Sequence, residues 1–214
     1  MKSSTLAFLM AAAALSAGCA NPERSRNLAD PQVSATTLAQ QVCSNCHGVT
    51  GTSVSPNFPN LAGQVELYFV AQLNGFKSHR RQDPAGFEYM WGISRSLNDD
   101  QIKGLADYYA GQSPMRQAFE GDRSRLDAGK RIFEAGVADK AVPACAGCHG
   151  DKGQGMATFP RLAGQHADYL AKQLIVFQRT DDRPEGSIMK TVAHALTRQN
   201  IDDVAAYLQA LPNL

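Results

Sequence analysis

The chain has 214 residues, 43% of them hydrophobic, and carries 21 basic against 20 acidic side chains for a net charge of +1. That length allows one or two domains. The balanced charge lacks the basic excess of a nucleic-acid binder, and the hydrophobic share is that of an ordinary globular protein.

Residues 1–19 read as a signal peptide. Lys2 precedes an apolar, Ala-rich run from Leu6 to Ala17, which ends in the small residues Ser16, Ala17 and Gly18. This is the pattern of a secretory signal, and the run is too short to span a bilayer. The ending LSAGC is similar to a bacterial lipoprotein signal, with Cys19 as the lipidated first residue of the mature chain, although Ser16 stands where a Leu is usual. An ordinary cut between Ala17 and Ala20 is the other reading, and both stay open. Either places the mature chain in the periplasm, and lipidation would anchor it to a membrane.

A first helix is expected over about Ser34 to Cys43, running into CSNCH at residues 43–47; FPNLAGQ follows at 58–64. Tyr68, Gln72, Leu73 and Phe76 then fall at i, i+4, i+5 and i+8, one face of a second helix. The charged string Lys77 to Asp83 reads as a solvated loop that could also serve docking. Trp91, beside Met90, reads as ordinary core. Asn98 is a suitable N-cap for a last helix carrying Ile102, Leu105, Ala106 and Tyr109. Residues 111–124, GQSPMRQAFEGDRS, have the Gly, Pro and charges of a linker.

The second half repeats the order. A helix is expected over about Leu126 to Ala135, then CAGCH at 145–149 and FPRLAGQ at 159–165. Tyr169, Gln173, Leu174 and Phe177 share a helix face, and Thr197 caps a last helix carrying Ile201, Val204, Ala205 and Leu208. Cys43 aligns with Cys145, Pro59 with Pro160, Met90 with Met189, Leu97 with Leu196 and Tyr108 with Tyr207. The chain is therefore a tandem duplication, all-α, with domains at 32–112 and 125–214 joined by a linker at 113–124. Each half is small enough to bury only a limited core.

Cys43, Cys46, Cys145 and Cys148 form two C-x-x-C pairs, each followed at once by His47 or His149. This is the attachment signature of c-type haem. Two thiols add across the two vinyl groups of one haem, and the adjacent His ligates iron. A thioredoxin-like redox pair, a zinc half-site and a structural disulfide compete for a C-x-x-C. Two C-x-x-C-H motifs in an exported chain, with no convincing strand for a thioredoxin-like site, favour two covalent haems. Each haem offers an apolar plate for short helices to pack on, so the chain without haem should fold poorly.

The sixth iron ligand separates a carrier from an enzyme, because Met or a second His closes the site and an open position permits chemistry. Met90 and Met189 fall at equivalent places before the last helix of each half, whereas Met115 sits in the linker and Met156 has no counterpart. A Met is usually core filler, but two at matched positions in otherwise diverged loops favour thioether ligation by Met90 and Met189. Packing near a haem edge is then the other reading of Trp91. His79, His166 and His194 are not duplicated and read as surface residues. A ligating His usually donates its other ring N–H to a carbonyl, and Pro59 and Pro160 are placed to present carbonyls to His47 and His149.

CSNCHG with FPNLAGQ, and CAGCHG with FPRLAGQ, each followed by a Met and a short final helix, resemble dihaem cytochromes c of the cytochrome c4 family over nearly all of the mature chain. The resemblance implies two helical cytochrome c domains, a haem c in each, and axial ligation by His47 with Met90 and His149 with Met189. It also implies transient redox partners, such as a terminal oxidase or a dehydrogenase. The first half departs from it by lacking a Gly and aromatic pair like Gly129 and Phe133, so its first helix should pack differently. Residues 20–113 carry 7 basic and 8 acidic side chains and residues 114–214 carry 13 and 12, so the sequence does not support steering by whole-domain charge, and a local patch stays open.

Three functions are consistent with these sites. The first is a free single-electron carrier. The second is a haem subunit of a dehydrogenase complex, whose sites would look the same. The third is a dihaem enzyme, such as a peroxidase, which needs an open iron, or a thiosulfate dehydrogenase. Some thiosulfate dehydrogenases use a Cys ligand, and here the thioethers consume every cysteine after Cys19. The carrier is favoured.

Overall fold

A computed structural model of the protein describes residues 25–84, 86–114 and 123–211. The signal segment with Cys19, and Met115 in the linker, lie outside the described residues.

Both halves are helical. In the first, α1 (Ala35–Leu38) continues through a π-helical turn, Ala39–Cys43, into α2 (Ser44–His47). α3 (Glu66–Lys77), a π-turn (Gly86–Met90), α4 (Trp91–Ser94) and α5 (Asp99–Ala110) follow. The second half has α6 (Arg123–Ala135), α7 (Ala146–His149), α8 (Ala167–Arg179), α9 (Ser187–Ala193) and α10 (Arg198–Ala210). Among the described residues the only β pairing is two isolated bridges, Val137 with Val142 and Met156 with Phe159.

The last helices start where their caps dictate. Asn98 Oδ1 accepts from Gln101 N–H at 2.8 Å, and Gln101 Oε1 accepts from Asn98 N–H at 3.1 Å. Thr197 and Asn200 make the same reciprocal pair, both bonds 3.1 Å. Each satisfies orphan donors of the first turn. Gln101 also ties down the chain before α1, through its Nε2 to the carbonyls of Asp30 and Val33.

Each half builds its own core on its last helix. Leu38, Phe69, Phe76, Ile102, Leu105 and Tyr109 form the first; Phe133, Leu170, Phe177, Ile201, Val204 and Leu208 form the second. Burying such a side chain contributes roughly 1.5–3 kcal/mol.

The first helix crosses the last one differently in the two halves. In the second half the close approach is on α6: a Cβ at Gly129 would lie 2.1 Å from the Asp203 carbonyl oxygen and 2.6 Å from Tyr207 Cβ. Phe133 packs on Tyr207 beside it, with ring centroids 5.7 Å apart. In the first half the glycine has moved to the other partner: a Cβ at Gly104 of α5 would lie 2.6 Å from Ala35 Cβ. The missing Gly and aromatic pair is thus offset by a small residue on the last helix. The π-turn was not expected. It interrupts the helix just before the motif, where the Tyr109 hydroxyl reaches the Ala39 carbonyl at 3.5 Å.

Candidate functional site

The two C-x-x-C-H motifs are short helical turns. His47 ends α2 and His149 ends α7, with Gly48 (φ 75°) and Gly150 (φ 81°) turning the chain away. Both histidines are buried, 7% and 6% exposed. His47 Nδ1 lies 2.9 Å from the Pro59 carbonyl oxygen, and His149 Nδ1 lies 2.9 Å from that of Pro160. A carbonyl only accepts, so Nδ1 carries the proton in each ring and Nε2 keeps a lone pair. Burial also holds both imidazoles below their usual pKa, against the opposing effect of the carbonyls. The result is two neutral, oriented rings with a free Nε2 lone pair, the form in which His ligates a metal. Phe58 and Phe159 pack edge-on to these rings, centroids 6.0 Å apart in both halves.

Cys43 packs against the same core as Met90, and Cys145 against the same core as Met189; Cys46 and Cys148 are exposed. All four thiols are free of disulfides. Burial pushes Cys43 and Cys145 up to about 11, whereas a redox dithiol needs a depressed thiol pKa. No group of three His, Cys, Asp or Glu that could hold a metal ion occurs among the described residues. In each half, two free thiols, a buried neutral His and a Met that shares its core with one of the thiols fit a covalent haem.

The remaining candidates separate. Met156 is 49% exposed. His194 is exposed, and His79 is half-buried against Phe87 and Trp91, with centroids 5.7 and 5.0 Å away. His166 is not a surface residue: it is 5% exposed and donates from Nε2 to the Ser53 carbonyl of the other half at 3.0 Å. Trp91 is not core either. It is half-buried, between His79 and the Arg95 guanidinium, which sits 5.2 Å from its ring.

The charged string is only partly a solvated loop. Arg81 is 4% exposed and Asp83 is fully buried, because they belong to a polar network between the halves. Arg81 Nη1 donates to Gln72 Oε1 at 2.6 Å, and Arg183 Nη1 donates to Gln173 Oε1 at 2.6 Å. The guanidiniums then cross over. Arg183 Nη2 reaches Gln72 Oε1 at 3.0 Å, and Arg81 Nη2 reaches Gln173 Oε1 at 3.4 Å. Each guanidinium also covers a Phe of its own half, Arg81 over Phe76 at 4.4 Å and Arg183 over Phe177 at 4.6 Å.

The repeated phrase makes a second crossed contact. Gln165 Oε1 accepts from Asn60 N–H at 2.8 Å, and Gln165 Nε2 donates to the Asn60 carbonyl at 3.0 Å. Gln64 does the same to Arg161, at 2.7 and 3.1 Å. The last letter of each FPxLAGQ thus pairs with the third letter of the other. The void beside them is about 10 Å³, at the lower limit for one water, so the contact is direct.

The cytochrome c family profile matches residues 33–111 and 126–212, one match around each site. Cytochrome c-552 of Acidithiobacillus ferridurans is 41% identical over 170 residues, covering 79% of this chain and 73% of that relative. The solved structure of Acidithiobacillus ferrooxidans cytochrome c4 superposes with a TM-score of 0.73 at 41% identity, covering 79% of this chain and 98% of that one. The chain belongs to the cytochrome c4 family of dihaem cytochromes c. It carries two haem c groups and transfers electrons. A protein of Thiomonas intermedia strain K12 named thiosulfate dehydrogenase electron acceptor is 33% identical over 176 residues, covering 79% of this chain and 78% of that relative.

The sequence reading missed Gln64, Gln165, Arg81, Asp83 and Arg183. Two signals pointed to them. Gln72 and Gln173 are polar residues kept twice inside an apolar helix face, and the phrase ends twice in Gln.

Proposed function

We propose that this dihaem cytochrome is a single-electron carrier with two closed sites and no catalytic centre. His47 with Met90, and His149 with Met189, are the axial ligands, and Cys43, Cys46, Cys145 and Cys148 form the thioethers. Bound haem supplies a one-electron Fe(III)/Fe(II) couple. The chain holds that couple in a fixed setting. The Pro59 and Pro160 carbonyls fix the tautomer and orientation of the histidines, and the cysteines tether the ring on both sides. A thioether raises the potential relative to a second His. The observation that carries the reading is the matched geometry, present once in each half: a buried His bonded at 2.9 Å to a proline carbonyl, and a Cys of the motif and a Met packed on that half's core.

Partners are redox proteins, met transiently on the periplasmic side, with any membrane attachment through Cys19. No described helix is long and apolar enough to cross a membrane. The relative named as an electron acceptor of thiosulfate dehydrogenase favours a dehydrogenase as donor, as a free partner or as the complex that holds this chain.

The test is the ferric absorption spectrum of the holoprotein, with the weak long-wavelength band of Met-ligated haem scaled to total haem. A band accounting for both haems supports the closed carrier. A band for one haem, or none, replaces at least one Met by another ligand or an open site and brings the enzyme reading forward.

A further inference from the structure

We propose that Gln64 and Gln165 are crossed positioning residues, each tuning the haem iron held by the opposite domain. The inference rests on reading His47 and His149 as iron ligands. The Pro59 carbonyl and the Asn60 N–H belong to one peptide unit. Its oxygen accepts from His47 Nδ1 at 2.9 Å, and its nitrogen donates to Gln165 Oε1 at 2.8 Å. The Pro160–Arg161 peptide does the same between His149, at 2.9 Å, and Gln64 Oε1, at 2.7 Å. Each histidine is therefore two hydrogen bonds away from a glutamine of the other domain. Among the described residues, the other hydrogen bonds of Gln165 go to the Asn60 carbonyl, His166 N–H and the Leu162 carbonyl, none of them on the peptide that bonds the histidine of its own domain.

Hydrogen bonds in a chain polarise one another, the more so in a dry, low-dielectric setting. An amide whose N–H is bonded to a good acceptor presents a stronger carbonyl. A stronger carbonyl at Nδ1 makes Nε2 a more basic ligand, and a more basic ligand favours Fe(III) over Fe(II). Gln165 thus lowers the potential of the N-terminal haem, and Gln64 lowers that of the C-terminal haem. The domain interface becomes part of each redox site, and a partner that strains it would shift both couples.

The experiment uses the holoprotein and its Gln165→Leu and Gln64→Leu variants. Potentials are read haem by haem, by stepwise reduction followed through the hyperfine-shifted Met methyl signals assigned to each domain. In Q165L the Fe(III)/Fe(II) equilibrium of the N-terminal haem is expected to move about threefold towards Fe(II), or about 28 mV, with the C-terminal haem moving much less. Q64L should do the reverse. Shifts on the haem of the mutated domain, equal shifts on both, or none would overturn the proposal. Should a leucine variant not retain both haems, Q165N and Q64N withdraw the oxygen by one methylene while staying polar and carry the same crossed readout. In the fully reduced native protein, through-hydrogen-bond couplings from Asn60 N to the Gln165 side-chain carbonyl, and from Arg161 N to that of Gln64, are required; their absence also overturns the proposal. A native ferric band accounting for both haems shows that the His/Met reading stands, so an uncrossed result then sinks this inference alone.

Discussion

Arg81 and Asp83, two residues apart in the chain, form an ion pair inside the protein, Nε to Oδ1 at 2.7 Å, with side chains 4% and 0% exposed. Asp83 Oδ2 also accepts from Gln173 Nε2 of the other half at 3.4 Å. Burial alone would raise the Asp83 pKa. The Arg81 guanidinium, helped by Arg183 and the Gln173 bond, holds it below the usual carboxylate range instead.

A carboxyl whose folded pKa lies below its unfolded value of 3.8 stabilises the fold fully above that pH. The contribution is lost as pH falls through the folded pKa. Thermal unfolding of the holoprotein, followed by circular dichroism, should therefore show an acid slope below about pH 4 that Asp83→Asn removes. At neutral pH the same substitution leaves the buried Arg81 charge uncompensated and should cost about 3 kcal/mol. An Asp83→Asn variant as stable as the native chain at pH 7 would contradict the pairing.

Met90→Ala and Met189→Ala should each remove about half of the long-wavelength ferric band and leave the other haem's share intact, because the two sites are separate. Total haem, measured as the pyridine haemochrome, should not change, since the thioethers do not involve Met. Loss of the whole band in either variant would show that the sites are not independent.

Gly104→Ala brings two methyl groups together on the α1–α5 contact and should cost about 1–3 kcal/mol. Ala35→Gly in the same chain should restore most of that loss, because Ala35 Cβ is the atom met, at 2.6 Å. Gly129→Ala meets the backbone oxygen of Asp203 at 2.1 Å. No side chain can move aside there, so the loss should be larger and have no such partner substitution. Denaturant titration of the three variants decides it.

Asn98→Ala and Thr197→Ala should each cost about 1 kcal/mol by removing a capping box. Neither cap is bonded to the repeated phrase, so both haem potentials should stay unchanged while the unfolding midpoint drops. A potential shift equal to that of the glutamine variants would mean that loosening any helix disturbs the haems.

The helices, their caps and the doubled motif were legible because they are written locally. Asn98 and Thr197 stand just before apolar faces, and C-x-x-C-H needs no distant partner to be recognised. The interface was not legible, because its partners stand roughly a hundred residues apart and a repeat shows that a phrase matters without showing what it touches. Arg81 and Asp83 looked solvated because nothing local says that a charge will be neutralised by its neighbour and buried under the other half. His166 looked like a surface residue because it is unduplicated, yet it is buried against Ser53, where the two halves differ. The π-turn at Ala39–Cys43 leaves no mark in the apolar spacing of so short a helix.

The crossed glutamines have the logic of a symmetric dimer: the same patch occurs on both partners, each donating and accepting what the other does. The Asn60 side chain, which bonds the Ser53 N–H and the Gly164 carbonyl, and His166, which bonds the Ser53 carbonyl, stand where the aligned phrase has Arg161 and Val65, so the two partners are alike without being interchangeable.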